Sequence, residues 1–237
     1  MSDPVTHSDP PAADVESAPR RPSSWVWWAL IVVLVIVLAV GIKSLFVQPF
    51  YIPSGSMEPG LVKNDRILVE KVSYWGSGTP QRGDIVVFKD PSHWLPPAED
   101  AGPGDPVTKA LSFIGLYPSG GHLVKRVIGI GGDRVVCCDA KGRITVNGKA
   151  LEESSYLPKG TQPSLVKFDV RVPSGDLWVM GDNRGASYDS RGHMGDPGGG
   201  FVPDDLVVGK VFALVWPLGR LRILHRPATF ADIPRAD

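Results

Sequence analysis

Two serine hydroxyls lie close together in the segment Pro53–Gly60, and their surroundings suit nucleophilic chemistry. Ser54 and Ser56 flank one glycine, and the prolines and glycines of the segment hold it out of regular structure. A serine hydroxyl attacks a carbonyl carbon effectively only when a rigid backbone aims it. Hydroxyls at this spacing can place one oxygen at the carbonyl carbon and the other near the carbonyl oxygen. The alternative interpretation is a simple turn that leads into a strand.

A serine nucleophile needs a base that accepts its proton. Histidine is the usual base, and the candidates are His93, His122, His193 and His225. A lysine can take this role when burial in apolar surroundings lowers its pKa. Lys125 fits because it lies in the mainly apolar segment Leu123–Gly129. Lys125 and Arg126 point to opposite faces of a strand, so one of the two cations must face the more apolar side. The alternative is an edge or surface strand with solvated charges.

Four segments of the chain resemble, in order, the signature boxes of type I (bacterial leader) signal peptidases, peptidase family S26. The segments are Ser54–Pro59, Gly83–Phe88, Val124–Gly129, and Gly181–Arg184 with Ser187–Arg191. Two further segments, Gly200–Pro203 and Val208–Val211, match the closing part of the family pattern. The resemblance implies a largely β fold that lies against a membrane and cleaves exported preproteins after small residues, typically in an Ala-x-Ala pattern.

The resemblance also implies roles for individual residues. Ser56 matches the family's nucleophile and Lys125 its general base, which together form a Ser–Lys dyad. Ser54 matches the serine whose hydroxyl forms the oxyanion hole with the backbone N–H of Ser56. Met57 lies beside the nucleophile and faces the substrate. Ser187 matches the serine that hydrogen-bonds the lysine and orients it.

A charged pair is implied to brace the site. Asp189 and Arg191 match this pair, and Arg126 is expected to join them. The chain departs from the common family pattern at Gly185 and Ala186, where an acidic or polar pair is usual, so side-chain hydrogen bonding is lost there. We expect no cofactor and no metal ion, because the histidines and cysteines form no metal-type cluster.

A long apolar segment precedes these motifs. Trp25–Ile42 contains no charged residue and would span about 27 Å as a helix, close to the roughly 30 Å of a membrane's hydrocarbon core. We predict a transmembrane helix at 25–42, preceded by a disordered cytoplasmic tail at 1–24. A cleavable signal peptide fits poorly because the run is too long. A buried soluble helix fits poorly because the run is apolar all round.

Basic residues indicate how the helix is oriented. Arg20 and Arg21 precede it and Lys43 follows it, a modest bias towards a cytoplasmic N-terminus. Residues 44–237 then form an extracytoplasmic catalytic domain of a single-pass protein in a bacterial plasma membrane. Its expected partners are exported preproteins and membrane lipid.

Residues 44–237 are predicted to be mainly β, in an antiparallel, barrel-like fold. Short aliphatic or β-branched runs predict strands at Arg66–Val72, Asp84–Phe88, Leu123–Ile130, Arg134–Cys138, Arg143–Val146, Val166–Val172, Leu177–Met180, Leu206–Val215 and Leu221–Leu224. No helical period follows the apolar segment. Residues 90–121 are rich in proline and glycine and predict a flexible insertion.

The overall composition bears on partners and on redox chemistry. The chain has 237 residues with 25 basic and 25 acidic side chains, and this balance argues against nucleic acid as a partner. Cys137 and Cys138 are adjacent. Because neighbours on a strand point to opposite faces, we expect two free thiols, one buried and one exposed. A vicinal disulfide and an intermolecular bridge are the alternatives.

These features together predict a membrane-anchored serine endopeptidase that removes N-terminal signal peptides from exported preproteins. A second interpretation is another Ser–Lys peptidase of the same clan, such as a self-cleaving protease. A third is a non-catalytic, membrane-tethered β domain that binds exported chains, in which Ser56 and Lys125 would be dispensable.

Overall fold

A computed structural model describes residues 24–76, 78–97, 104–113 and 120–235. The chain divides between Gly41 and Ile42 into two compact units. The predicted disordered tail lies outside the described residues except for Ser24, where the first helix begins.

Helix α1, Ser24–Phe46, contains the whole predicted apolar segment. The segment has no proline and no charged residue before Lys43, so nothing interrupts the helical hydrogen bonds. Large apolar side chains between Trp25 and Leu38 are exposed. Of the residues that the structure describes, no helix is both long enough and apolar enough to cross a membrane.

The second unit is built mainly of antiparallel strands. The strands are β1 Val47–Tyr51, β2 Arg66–Glu70, β3 Ile85–Lys89, β4 His122–Ile130, β5 Arg134–Cys137, β6 Ile144–Val146, β7 Lys149–Ala150, β8 Phe168–Arg171, β9 Asp176–Met180, β10 Val202–Pro203, β11 Val207–Trp216 and β12 Arg222–Ile223. Helix α2 is Pro106–Phe113, and short 3-10 helices lie at Val72–Tyr74, Asp204–Leu206, Leu218–Arg220 and Ala228–Phe230.

The strands form two sheets. One has the order β1-β2-β11-β3-β4-β9-β10, with β12 paired to β11, and the other has the order β7-β6-β5-β8. The prediction of a mainly antiparallel β fold is confirmed. The prediction of a barrel-like closure is wrong for the described residues, because the outer strands β1 and β10 do not pair and β5 to β8 form a separate sheet.

Strands β3 and β4 are central because apolar side chains cover both of their faces. Val86 and Val127 pack in one apolar cluster, whereas Val87 and Val124 pack in another. Lys125 lies opposite Val86 in the antiparallel register of these two strands. The lysine is therefore held in the interior of the larger sheet.

Each predicted strand segment contains a strand, but β1, β7 and β10 are additional. β1 contains Pro49, which lacks the N–H that a central strand would donate. It is tolerated because β1 lies at the edge of the sheet and pairs only with β2. β7 pairs with β6 across Asn147–Gly148, a dipeptide whose sequence predicts a hairpin turn, whereas β10 has two residues and leaves no pattern in the sequence.

Helix α2 contradicts the expectation that no helix follows the apolar segment. The backbone N–H groups of Val107 and Thr108 donate to Asp105 Oδ1 over 3.0 and 2.9 Å. Asp105 is thus an N-cap, and Pro106 occupies the first helical position, where a missing N–H costs nothing. These two adjacent residues are the sequence signal for the helix.

The two cysteines are joined to each other, so the expectation of two free thiols is wrong. Strand β5 ends at Cys137, and Cys138 lies outside it. The strict alternation of side chains along a strand therefore does not apply to this pair.

Candidate active site

Ser56 lies in the loop between β1 and β2, and hydrogen bonds fix this loop from two sides. Within the loop, the Leu61 N–H donates to the Met57 carbonyl over 3.0 Å. From the loop after β9, the Asn183 N–H donates to the Ser56 carbonyl over 3.0 Å, and Asn183 Nδ2 donates to the Gly55 carbonyl over 3.1 Å. Ser56 is only 8 % exposed, so its hydroxyl has a defined position.

Lys125 reaches Ser56 from the middle of β4. Its Nζ donates a hydrogen bond to Ser56 Oγ over 2.8 Å, and the lysine is 4 % exposed. Burial lowers the pKa of Lys125 to about 8, although the charges of Asp189 and Asp182 act in the opposite direction. An amine with this pKa is neutral often enough near physiological pH to accept a proton from a serine.

Ser54 and Met57 lie on either side of Ser56 in the same loop. Ser54 Oγ lies 3.3 Å from Ser56 Oγ, so the two hydroxyls are close enough to act on one carbonyl group. Met57 is almost fully buried and is one of the residues that line the cleft, together with both serines.

This cleft has a volume of about 600 Å³. Its walls are largely apolar and include Ile52, Leu123, Val124, Trp94 and Tyr188. A concave, mostly apolar site with a few polar groups at one point is typical of a substrate pocket.

The charged residues predicted to brace the site form two separate pairs. Asp189 and Arg191 bond each other at 2.8 to 2.9 Å, and the Gly181 N–H also donates to Asp189 over 2.9 Å. Arg126 does not join them. Its guanidinium makes two hydrogen bonds to Asp182, at 2.7 and 2.6 Å. The strand register places Arg126 opposite Met180 at the end of β9, so it pairs with Asp182 rather than with Asp189, and its role in bracing the site stays a prediction.

Asp189 is a carboxylate whose charge is stabilised inside the protein. Burial alone would raise its pKa, but the hydrogen bonds and charge of Arg191 and the hydrogen bond from the Gly181 N–H together hold the pKa below its ordinary value. The resulting negative charge favours the protonated form of Lys125.

Ser187 lies in the site but does not make the predicted bond to Lys125. Its hydroxyl is buried and has no hydrogen-bond partner of ordinary geometry among the described residues. A Cβ added at Gly181 would overlap Ser187 Cβ, at 2.5 Å, and would also overlap the Ser56 carbonyl oxygen. Gly181 thus allows Ser187 and the nucleophile loop to approach the same point.

A third buried ion pair was not predicted. Arg184 donates to Glu153 Oε1 over 2.6 Å, and Tyr156 donates to the same carboxylate over 2.5 Å. Arg126 lies over the Tyr156 ring, 4.4 Å from its centroid. This cluster connects the segment after β7 to the loop after β9. Arg184 belongs to a recognised box, but nothing in the sequence indicates its partner.

The four histidines weighed as bases are placed elsewhere or otherwise engaged. His193 is buried and contacts Asp196 through Nδ1 over 2.6 Å, and His93 and His225 are exposed. His122 lines the cleft, with Nδ1 2.5 Å from the Gly120 carbonyl. The basic group at Ser56 Oγ is Lys125.

Comparisons with known proteins agree on one family. The family model described as "Signal peptidase, peptidase S26" matches residues 25–216. A probable signal peptidase I of Mycobacterium leprae is 38 % identical over 247 residues, covering 91 % of this chain and 84 % of the relative. A signal peptidase I of Leptolyngbya laminosa is 34 % identical over 229 residues, covering 97 % and 98 %. A crystal structure of a signal peptidase I from Enterococcus faecalis is 26 % identical, with a TM-score of 0.35, and covers 55 % of this chain and 95 % of that one.

Proposed function

Because the chain belongs to the signal peptidase family, peptidase S26, and is thus a serine endopeptidase of the signal peptidase I type, we propose that it removes signal peptides with a dyad of Ser56 and Lys125. The observation that carries this proposal is the 2.8 Å hydrogen bond between Lys125 Nζ and Ser56 Oγ in a buried site.

In the first step, neutral Lys125 accepts the proton of Ser56 while Oγ attacks the scissile carbonyl carbon. The oxyanion that forms accepts hydrogen bonds from the Ser54 hydroxyl and the Ser56 N–H. The protonated lysine then donates its proton to the leaving amine, and the signal peptide remains attached to Ser56 as an ester. A water molecule, deprotonated by the same lysine, attacks the ester and releases the peptide.

The remaining residues of the site serve this step by positioning. Asn183 holds the nucleophile loop through the Gly55 and Ser56 carbonyls. Asp189 and Arg191 fix the turn that carries Ser187. We infer that Ser187, which this turn carries two residues from Asp189, orients the amine of Lys125 during the reaction.

We further propose that cleavage follows small residues in an Ala-x-Ala pattern and that the enzyme acts at a membrane. The specificity rests on the family to which the chain belongs. The proposal of a membrane anchor rests on the eighteen uncharged residues 25–42. On this proposal the N-terminus is cytoplasmic, and the catalytic domain lies on the extracytoplasmic side of a bacterial plasma membrane. Alkaline extraction of membranes tests the anchor: release into the supernatant would contradict it.

Cleavage of a preprotein with an Ala-x-Ala site tests the chemistry. Wild-type protein in detergent is compared with Ser56→Ala and Lys125→Ala, and the product N-terminus is sequenced. We expect that only the wild-type protein cleaves the preprotein, and that it cleaves after the second alanine of the Ala-x-Ala site. Cleavage by either folded variant at the wild-type rate would refute the dyad.

A further inference from the structure

The segment Trp94–Pro96 lines the cleft that contains Ser56 and Lys125, although it lies outside every motif of the sequence. It follows β3 directly, at the start of the region predicted as a flexible insertion. Two sets of contacts hold this segment in the cleft.

The backbone of this segment is fixed by one carboxylate. Asp90 Oδ1 accepts hydrogen bonds from the N–H groups of Ser92 and Trp94 over 3.1 and 2.8 Å, and Oδ2 accepts one from Leu95 over 2.8 Å. Three backbone donors on one side chain give the segment a defined path rather than that of an open loop.

The Trp94 side chain is fixed by a second contact. Its ring stacks on the imidazole of His193, with ring centroids 4.2 Å apart and planes 2° from parallel, and meets Phe88 edge-on at 6.0 Å. His193 is 2 % exposed and is held by Asp196 through Nδ1. Its Nε2 is buried without a hydrogen-bond partner among the described residues, so the ring is retained there at some cost.

His193 also contacts a second aromatic residue of the cleft, Tyr188. The Tyr188 ring meets it edge-on at 4.3 Å, and a Cβ added at Gly192 would overlap the Tyr188 ring at 2.6 Å. Tyr188 is 65 % exposed and lines the cleft. One buried histidine therefore supports cleft residues from two loops that are distant in sequence.

We propose that His193 is a positioning residue for substrate binding, which holds Trp94–Pro96 and Tyr188 as an aromatic wall for the extended, apolar part of the substrate near the cut. This inference rests on the proposed function. His193 bonds Asp196 and not the dyad, so its loss should weaken binding and leave the chemical step intact. A group that contributes equally to substrate and transition-state binding changes KM and not kcat.

The test is steady-state cleavage of an Ala-x-Ala preprotein by the full chain in detergent. His193→Ala removes the stack, His193→Phe keeps an aromatic ring against Trp94, and His225→Ala is the matched control at an exposed histidine. We expect His193→Ala to raise KM about fivefold with kcat within about twofold of wild type. His193→Phe should restore KM to within about twofold, and His225→Ala should have no effect.

The outcomes separate this inference from the proposed function. If wild type does not cleave, the proposed function is wrong. If wild type cleaves and folded His193→Ala keeps its KM, or loses kcat instead, the positioning role is wrong. If His193→Ala does not fold, Leu95→Ala replaces it, because this half-buried side chain lines the cleft outside the stack. A KM raised about threefold supports the wall, and an unchanged KM refutes it.

Discussion

The backbone N–H of Asn183 donates to the carbonyl oxygen of Ser56 over 3.0 Å, so the loop after β9 directly holds the proposed nucleophile. The side chain of Asn183 also donates a hydrogen bond to the neighbouring carbonyl of Gly55. The loop that bears Ser56 and the loop that bears Asp189 therefore behave as one unit, although more than a hundred residues separate them.

Asn183→Ala removes the hydrogen bond from the Asn183 side chain to the Gly55 carbonyl. We expect kcat to fall about tenfold with KM nearly unchanged, because the lost hydrogen bond positions the nucleophile rather than the substrate. The kcat of Asn183→Asp should fall further, since a carboxylate only accepts hydrogen bonds and repels the Gly55 carbonyl. Steady-state kinetics measure both, and a kcat within twofold of wild type for both variants would contradict this role of Asn183.

Gly181→Ala tests the close approach of the two loops. The added Cβ overlaps Ser187 Cβ at 2.5 Å and also overlaps the Ser56 carbonyl oxygen, so one of the loops has to move. We expect kcat to fall about a hundredfold, because small displacements of catalytic groups have large effects on rate. Gly185→Ala is the control in the same loop, where an added Cβ meets nothing within 4 Å. Equal activities for the two variants would show that the approach is not needed.

The sequence predicts the strands better than it predicts the contacts between distant side chains. Strands such as β4 and β11 are long apolar runs, and burial of such runs determines their structure locally. Ser56 and Lys125 each lie in a short motif, so each can be proposed as a reacting residue from the sequence around it. Their contact across the sheet follows from the order of strands, which no local pattern encodes.

The partners of charged and aromatic side chains depend on tertiary register, which no local pattern in the sequence encodes. Arg126 pairs with Asp182 because β4 lies against β9 with Arg126 opposite Met180. Trp94 and His193 meet because two loops from different strands converge on one face. Each interaction has its cause in residues distant along the chain.

The Arg126–Asp182 pair predicts a large loss of stability on truncation of one partner. Both side chains are buried, and Asp182→Asn leaves the guanidinium without its counter-charge. We expect the free energy of unfolding to fall by about 3 to 5 kcal/mol. The matched control is Asp169→Asn, which breaks an equally short Arg–Asp pair on the surface, with Arg134, and should have a much smaller effect because solvent screens that pair. Chemical denaturation measures both variants, and similar losses would contradict the importance of burial.

The pKa of Lys125 predicts the pH dependence of activity. The neutral amine is the active base, so kcat/KM should rise with pH, with a midpoint at about 8, and should fall about tenfold per pH unit well below it. Lys125→Arg should be inactive at every pH because a guanidinium does not deprotonate. Initial rates between pH 6 and 9.5 provide the measurement, with Arg134→Lys as a control at an exposed site. A flat profile for wild type would refute a titrating lysine base.

The same pKa predicts that Lys125 lowers the stability of the fold. Burial lowers the pKa of Lys125 from 10.5 to about 8, so between these values the unfolded chain binds a proton that the folded chain does not. Stability therefore rises with pH across this window, and the cost of the buried lysine is fully present below pH 8. Lys125→Met, which keeps the side-chain length without the amine, should be inactive. The free energy of unfolding of this variant minus that of wild type should be about 3 kcal/mol larger at pH 7 than at pH 10.5. Chemical denaturation of both proteins at the two pH values measures this change. A difference independent of pH would show that the lysine is not desolvated in the folded protein.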